Sequence, residues 1–208
     1  MPQRVAVVCC CFLVVCPPTA SADPAKLTAI HRLARQQPAD WSAITCNYWW
    51  HTGQSLSNPY TGILSIFSNL IMSGKPINIF EDGRESRDFV YIDDVVASTE
   101  QALFNPAAAN EVFNVGSGTP VDVMKVARTL VRLLGTEVPV AVSGNYRIGD
   151  IRHNYACLQK AKHLLGFTPQ FDFEAGIRLF CDWVKTQGPV HSDYEGSIAE
   201  MKQKGLLK

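Results

Sequence analysis

PINIFEDGRESRDFVYIDDVV, residues 76–96, is the stretch of sequence that decides the fold. An apolar run lies on each side of Asp82-Gly83, which predicts two strands joined by a tight hairpin turn. Asp93 follows the second run and has the side chain of a helix N-cap. It predicts a helix that extends to about Phe104. The stretch therefore combines strands with a helix in about twenty residues.

The rest of the chain alternates between strand-like and helix-like segments. Apolar residues at helical spacing, usually closed by Gly or Pro, predict further helices in residues 26–36, 62–73, 121–134, 158–165 and 173–185. Runs of β-branched and aromatic residues predict strands in residues 42–50, 111–115 and 138–142. Alternating strands and helices predict an α/β chain.

Composition narrows the classes of function. The 208 residues include 19 basic and 19 acidic side chains, and 47% of them are hydrophobic. This apolar share is sufficient for a buried core and excludes global disorder. Because a neutral chain lacks a basic binding surface, we expect no nucleic-acid polymer as a partner. The cysteines and histidines lack metal-ligand spacing, so we expect no metal site.

The first 22 residues differ in character from the rest. Arg4 precedes an apolar run that ends at Cys16, and Ala20-Ser-Ala22 follows, which is the pattern of a secretory signal. The run is shorter than the roughly 20 apolar residues that cross a bilayer, so we expect no membrane span. A buried β-strand and the remnant of a longer domain fit the same residues. A signal would make the protein exported, whereas the other interpretations leave it cytoplasmic.

Two segments place charged side chains beside core-forming residues. Arg87-Asp88 directly precedes an apolar run, and Arg147 lies three residues before Asp150. Two arginines on α/β loops suit a diphosphate clamp, because guanidinium groups donate paired hydrogen bonds to phosphate oxygens. The alternative is that Arg87–Asp88 and Arg147–Asp150 are internal salt bridges. Both interpretations remain open from the residues alone.

Two glycine-containing segments bear on anion binding. The helix predicted near Gly62 and Ile63 begins with backbone N–H groups that can bind the same diphosphate. Gly116-Ser-Gly118 follows a predicted strand, but the third glycine of a dinucleotide-binding loop is missing. We therefore interpret Gly116-Ser-Gly118 as a turn and leave the cofactor-binding residues unassigned.

Four segments together resemble the C-terminal half of the NAD-dependent epimerase/dehydratase family, the extended short-chain dehydrogenases that act on nucleotide sugars. Their order and spacing also fit. They are residues 76–96, EVFNVGSG (111–118), YRIGDIRHNYACLQKAKHLLGFTP (146–169) and FEAGIRLFCDWV (173–184). With GQSLSNPYTGILSIFSN (53–69), they most resemble dTDP-L-rhamnose 4-epimerase-like and UDP-sugar 4-epimerase-like members.

The resemblance implies a truncated Rossmann-type α/β fold, mainly the substrate-binding lobe. It implies that Arg87 and Arg147 contact the nucleotide diphosphate and that Asp150 lies near the ribose. The strand that would line the base pocket contains Ile77 and Phe80. The full set of expected substrate-binding residues is Arg87, Phe89, Arg147, Asp150, Gly62, Ile63, Ile77 and Phe80.

The resemblance also implies NAD as cofactor and a nucleotide-diphosphate sugar as partner. In the family's reaction a hydride leaves and returns at sugar C4 through a 4-keto intermediate. The family's Tyr-x-x-x-Lys pair, in which the lysine lowers the pKa of the tyrosine, is absent from the sequence. Lys26 is the one catalytic candidate, and Ala22 occupies the position of its tyrosine partner. We therefore expect a dTDP- or UDP-sugar 4-epimerase by family, impaired in this chain.

Two alternatives stay open: a catalytically silent nucleotide-sugar-binding or interaction protein, and an exported protein of unknown role. The sequence predicts no oligomeric state. The expected organisation is a fragment with four parts. These are a signal-like or remnant segment (1–22), a diverged remnant of the Rossmann portion (23–53), a nucleotide-sugar-binding lobe (54–188) and a loose polar tail (189–208).

Overall fold

The computed structural model describes residues 4–9, 41–46, 48–57 and 62–208. The chain divides into two compact units, each assembled from three separate stretches. Unit 1 comprises Met1–His51, Asp88–Thr119 and Tyr155–Phe173. Unit 2 comprises Thr52–Arg87, Pro120–Asn154 and Glu174–Lys208. This division differs from the expected single lobe over 54–188, because two stretches of that range belong to unit 1.

The described strands and helices alternate along the chain. The strands are β1 (Arg4–Cys9), β2 (Trp41–Cys46), β3 (Tyr48–Trp50), β4 (Ile77–Ile79), β5 (Ser86–Tyr91), β6 (Val112–Val115), β7 (Pro120–Asp122), β8 (Val140–Val142) and β9 (His153–Asn154). The helices are α1 (Ile63–Met72), α2 (Ile92–Phe104), α3 (Val123–Leu134), α4 (Gln159–Leu165), α5 (Phe173–Gln187) and α6 (Tyr194–Gln203). None of these helices combines the length and apolar character of a membrane-crossing helix.

Unit 1 is built on a parallel sheet. Its three strands lie in the order β1-β2-β6, and Ile44 on β2 pairs with Phe113 on β6. Both side chains are fully buried. Helix α2 packs against β1 and β2, and α4 packs against β6, so helices cover the parallel strands as in a layered α/β fold.

Only part of the N-terminal predictions falls on described residues. Residues 4–9 form β1, which agrees with the β-strand interpretation for that part of the apolar run. The remainder of the first 22 residues lies outside the described residues. The helix predicted in 26–36 and its residue Lys26 also lie outside them.

Unit 2 combines α1, α3 and the parallel pair β4–β8. Helix α3 begins where the Asp122 carboxylate accepts a hydrogen bond from Lys125 N at 2.6 Å, and it ends at Gly135, whose φ is +74°. These are the N-cap and glycine stop that define a short amphipathic helix. Helices α1 and α3 pack against each other and against β4.

The predicted hairpin around Asp82-Gly83 is wrong. Strand β4 pairs with β8, while β5 pairs with β3 and β9, and each of these pairings is parallel. Helix α2 begins one residue before Asp93, with Tyr91 at its N-cap position. Asp93 therefore lies in the first turn of the helix instead of capping it.

The segment expected to be a loose polar tail, residues 189–208, is ordered by specific contacts. Helix α6 begins where the Asp193 carboxylate accepts a hydrogen bond from Gly196 N at 3.2 Å. The Lys75 ammonium lies 2.9 Å from Glu195 Oε1, and Leu207 is buried. The polar composition of this segment did not reveal the N-cap at Asp193 or the burial of Leu207.

Candidate functional site

Arg87 and Asp150 form the ion pair at the centre of the candidate site. Arg87 Nη2 lies 2.7 Å from Asp150 Oδ1, and the side chains are 19% and 43% exposed. Arg87 Nη1 also donates to the main-chain oxygens of Ser86 and Arg152, at 3.0 and 3.2 Å. A guanidinium group carries five N–H donors. The remaining two have no partner in the part of the chain that the structure describes.

Arg147 opens a tight turn that ends at Asp150. Asp150 N donates to Arg147 O at 3.3 Å, and Gly149 has φ of +83°, which favours glycine. The guanidinium carbon of Arg147 lies 5.4 Å from the centre of the Phe80 ring. Cation–π attraction of this kind orients the guanidinium group while leaving its N–H donors to other partners. Unit 2 thus contains both predicted diphosphate arginines.

The salt bridges considered from sequence, Arg87–Asp88 and Arg147–Asp150, are wrong. Asp150 pairs with Arg87, and Arg147 lies over Phe80. Adjacent residues on a strand point to opposite faces, so Arg87 and Asp88 on β5 do not meet. The sequence named the charged residues but assigned the wrong partners.

Asp88 is instead a buried acceptor in unit 1, with 1% of its surface exposed. Its Oδ1 accepts from Ser117 N and Oγ, both at 2.7 Å, and its Oδ2 accepts from Gly118 N and Ala156 N, both at 3.0 Å. A side chain on Gly116 would overlap the Asp88 carboxylate. The Gly116-Ser-Gly118 turn therefore binds a buried carboxylate, and the N–H groups of Ser117 and Gly118 already donate to it.

The other expected site residues fall in different environments. Gly62 is the N-cap of α1 and Ile63 its first residue, and no side chain among the described residues caps this end. Ile77 is fully buried in β4, whereas Phe80 is half-buried beside Arg147. Phe89 belongs to unit 1, where its ring centre lies 5.4 Å from that of Phe173. All of the expected substrate-binding residues except Phe89 belong to unit 2.

Arg152, which the resemblance left without a role, joins three carboxylates in unit 2. It lies 2.6 Å from both Glu81 Oε2 and Asp82 Oδ2, and 3.9 Å from Glu85 Oε1. The hydrogen bond from Arg152 lowers the pKa of Asp82 from its ordinary value, while burial raises the pKa of Glu85. Because one guanidinium group bridges these carboxylates, they form an ion-pair network. No signal in the sequence identified this network.

An open groove of about 620 Å³ lies elsewhere in unit 2, against α3. It contains none of the expected site residues. Its lining is largely charged and consists of Asp82, Gly83, Arg84, Asp122, Met124, Lys125, Arg128, Thr129 and Arg132.

Known proteins resemble this chain in sequence and in fold. Residues 23–116 match the model of the NAD dependent epimerase/dehydratase family. The dTDP-L-rhamnose 4-epimerase of Burkholderia thailandensis is 39% identical over 132 residues, covering 64% of this chain and 36% of that protein. The structure of UDP-glucose 4-epimerase from Thermotoga maritima with UDP-glucose is 28% identical, with a TM-score of 0.66 over 77% of this chain and 50% of that chain.

A further solved structure, MoeE5 in complex with UDP-glucose and NAD, is 26% identical with a TM-score of 0.62, covering 88% of this chain and 60% of that one. This chain spans about a third of the length of the curated relative and about half that of the Thermotoga enzyme. The prediction of a Rossmann-type α/β fold is confirmed. The partial family match, the curated relative and the shared fold all make this chain similar to the NAD dependent epimerase/dehydratase family.

Proposed function

We propose that this chain binds a nucleoside-diphosphate sugar as the substrate-binding part of an NAD-dependent 4-epimerase, with Arg87 and Arg147 as the diphosphate ligands. The observation that carries the proposal is the state of these two arginines. Arg87 is held by three hydrogen bonds and keeps two N–H groups available, while Arg147 is oriented by Phe80. Fixed guanidinium groups with available donors suit phosphate oxygens.

Charge and burial favour an anionic ligand here. The Arg87 side chain is four-fifths buried and Asp150 neutralises it, so the carboxylate stabilises the guanidinium group in place without covering all of its donors. We propose that the N-terminus of α1 at Gly62, which lacks a side-chain cap, contributes backbone N–H groups with a favourable dipole. These features support a diphosphate in unit 2, with residues 54–87 and 120–154 contributing to the lobe.

NAD would supply the hydride acceptor in such a reaction. The Gly116-Ser-Gly118 turn does not offer a cradle for it, because Ser117 N and Gly118 N already donate to Asp88. We therefore propose no catalytic step through NAD. The role proposed for this chain is to bind and orient the nucleotide sugar.

Binding without turnover is the second candidate. It is favoured by the absence of a Tyr-x-x-x-Lys pair from the 208 residues, since the lysine of that pair makes the tyrosine an effective base. Lys26, with Ala22 at the expected tyrosine position, does not restore the pair. The dTDP- and UDP-sugar 4-epimerases among the relatives make dTDP- and UDP-sugars the ligands to test.

Calorimetry with UDP, dTDP, UDP-glucose and dTDP-L-rhamnose tests the proposal. We expect binding by the wild-type chain and a loss of about tenfold or more in Arg87→Gln and in Arg147→Gln, since a charged hydrogen bond contributes about 1.5–3 kcal/mol. Arg178→Gln, at an exposed arginine on α5, is the matched control and should bind as the wild type does. No binding at millimolar ligand would overturn the proposal. An NAD-supplemented 4-epimerase assay separates the enzyme from the silent binder.

A further inference from the structure

The last residues of the sequence pair with the loop that carries Arg147. Tyr146 N donates to Lys208 O at 2.7 Å, and Lys208 N donates back to Tyr146 O at 3.0 Å. Ile148 N donates to Leu206 O at 2.9 Å. The two segments are antiparallel, with Arg147 directly opposite Leu207. Residues 206–208, which we call the clamp segment, therefore bond the backbone on both sides of Arg147.

The buried Leu207 side chain anchors the clamp segment in unit 2. Leu207 is only 5% exposed, whereas its neighbour Leu206 is 47% exposed. Burying a leucine side chain is favourable because it removes apolar surface from water. The loop it meets consists of exposed residues from Tyr146 to Ile151, which have little packing of their own. The buried Leu207 therefore supplies apolar anchorage that the loop itself lacks.

Helix α6 delivers the clamp segment to this position. Gly205, with φ of +67°, ends the helix, and Leu206 N donates to Met201 O at 2.9 Å. This is a glycine stop of the kind that turns the chain sharply at the end of a helix. Upstream of α6, Val190 N donates to Asn69 Oδ1 on α1 at 3.0 Å. The chain is thus held by a hydrogen bond to α1 before α6 and by a glycine stop after it.

Tyr194, the first residue of α6, is close enough to Arg147 for the arginine's charge to act on it. Burial raises the pKa of the Tyr194 phenol, and the positive charge of Arg147 opposes that shift. The charge of Arg147 therefore acts on the first residue of α6, while the clamp segment beyond the helix pairs with the backbone around Arg147.

We propose that the clamp segment positions Arg147 for the nucleotide diphosphate, with Leu207 as the positioning residue. The inference rests on the proposed function of Arg147. Ordering an exposed loop costs conformational entropy, and pairing with the clamp segment meets that cost before the ligand arrives. A pre-ordered arginine contributes more of its phosphate interaction to affinity.

Leu207→Ala tests the inference, with Leu206→Ala as a matched control at the exposed neighbour. We expect Leu207→Ala to weaken UDP binding about fivefold and Leu206→Ala to leave it unchanged. Leu207→Met should restore wild-type affinity, because it refills the same volume. In an Arg147→Gln background, Leu207→Ala should produce no further loss. A merely structural role predicts the same fivefold loss in both backgrounds and would overturn the inference.

Hydrogen exchange provides a readout that needs no ligand. We expect the amides of Tyr146 and Ile148 to exchange faster in Leu207→Ala and at the wild-type rate in Leu206→Ala. If Leu207→Ala does not fold, Leu207→Val is the milder variant and should change exchange and affinity in the same directions. Unchanged exchange in a folded variant overturns the clamp itself. Failure of the wild-type chain to bind UDP overturns the proposed function instead, together with the ligand part of this inference.

Discussion

Replacing Asp88 by asparagine is the sharpest test of how unit 1 is held together. The carboxylate accepts four hydrogen bonds from Ser117, Gly118 and Ala156, and its residue is 1% exposed. Asp88→Asn keeps the shape of the side chain but turns one acceptor oxygen into an NH₂ donor. With the amide oxygen at the Oδ1 position, the new NH₂ faces two N–H groups.

The magnitude follows from the donors that lose their acceptor. Each buried, unsatisfied donor costs about 1–3 kcal/mol, so two cost about 2–6 kcal/mol. Water reaches Gly118, which is exposed, but not Ala156, which is buried. The lower part of the range therefore applies, and we expect a loss of about 2–4 kcal/mol in the free energy of unfolding.

Urea unfolding at pH 7 measures this loss, provided that the m-value stays constant. Asp182→Asn is the control, because that side chain is 75% exposed, and it should change the free energy by less than about 0.5 kcal/mol. Gly116→Ala probes the same packing from the other side and should also destabilise the chain. A loss of less than about 0.5 kcal/mol in Asp88→Asn would refute the buried-acceptor account.

Two further predictions concern charge and thiol chemistry. Arg152→Gln should lower the melting temperature at pH 7, because it leaves the carboxylates of Glu81 and Asp82 without their shared cation. Arg152 lowers the pKa of Asp82, so the stability that this ion pair contributes is lost as pH falls. The melting temperatures of wild type and variant should therefore converge below about pH 4. A difference that stays constant with pH would contradict this reasoning. In thiol labelling followed by peptide mapping, exposed Cys157 should react in the folded chain, whereas Cys181, whose pKa burial raises to about 12, should react only on unfolding.

Local signals predicted the helices well and the strand partners poorly. Helices α1 and α3 lie close to the predicted ranges because apolar spacing, an N-cap and a terminal glycine all act within one segment. The Asp82-Gly83 turn is equally local, but β4 finds its partner in β8, about sixty residues further along the chain. Parallel pairing requires a crossover connection, so adjacency in sequence does not reveal it.

The candidate site was predictable in its residues but not in its pairings. Arg87 and Arg147 stood out because charge beside apolar residues must be satisfied. The alternation of side chains along β5 already separates Arg87 from Asp88, so that pairing was excluded by strand geometry. The clamp segment could not be foreseen, because Leu207 lies in a polar tail and its backbone pairs with a loop sixty residues earlier.

In the Arg87–Asp150 pair, Asp150 orients the arginine and does not compete with the ligand for all of its donors. The Asp150 side of the pair is 43% exposed, so solvent screens the attraction and a phosphate can approach the same guanidinium group. Three N–H groups of Arg87 bind Asp150 and two main-chain oxygens, so a phosphate oxygen can take the remaining donors without breaking these bonds. Neutralising the carboxylate would leave Arg87 less firmly placed, and the diphosphate would then have to order the side chain itself. The acidic residue of the Arg-Ile-Gly-Asp segment therefore favours anion binding by fixing the cation.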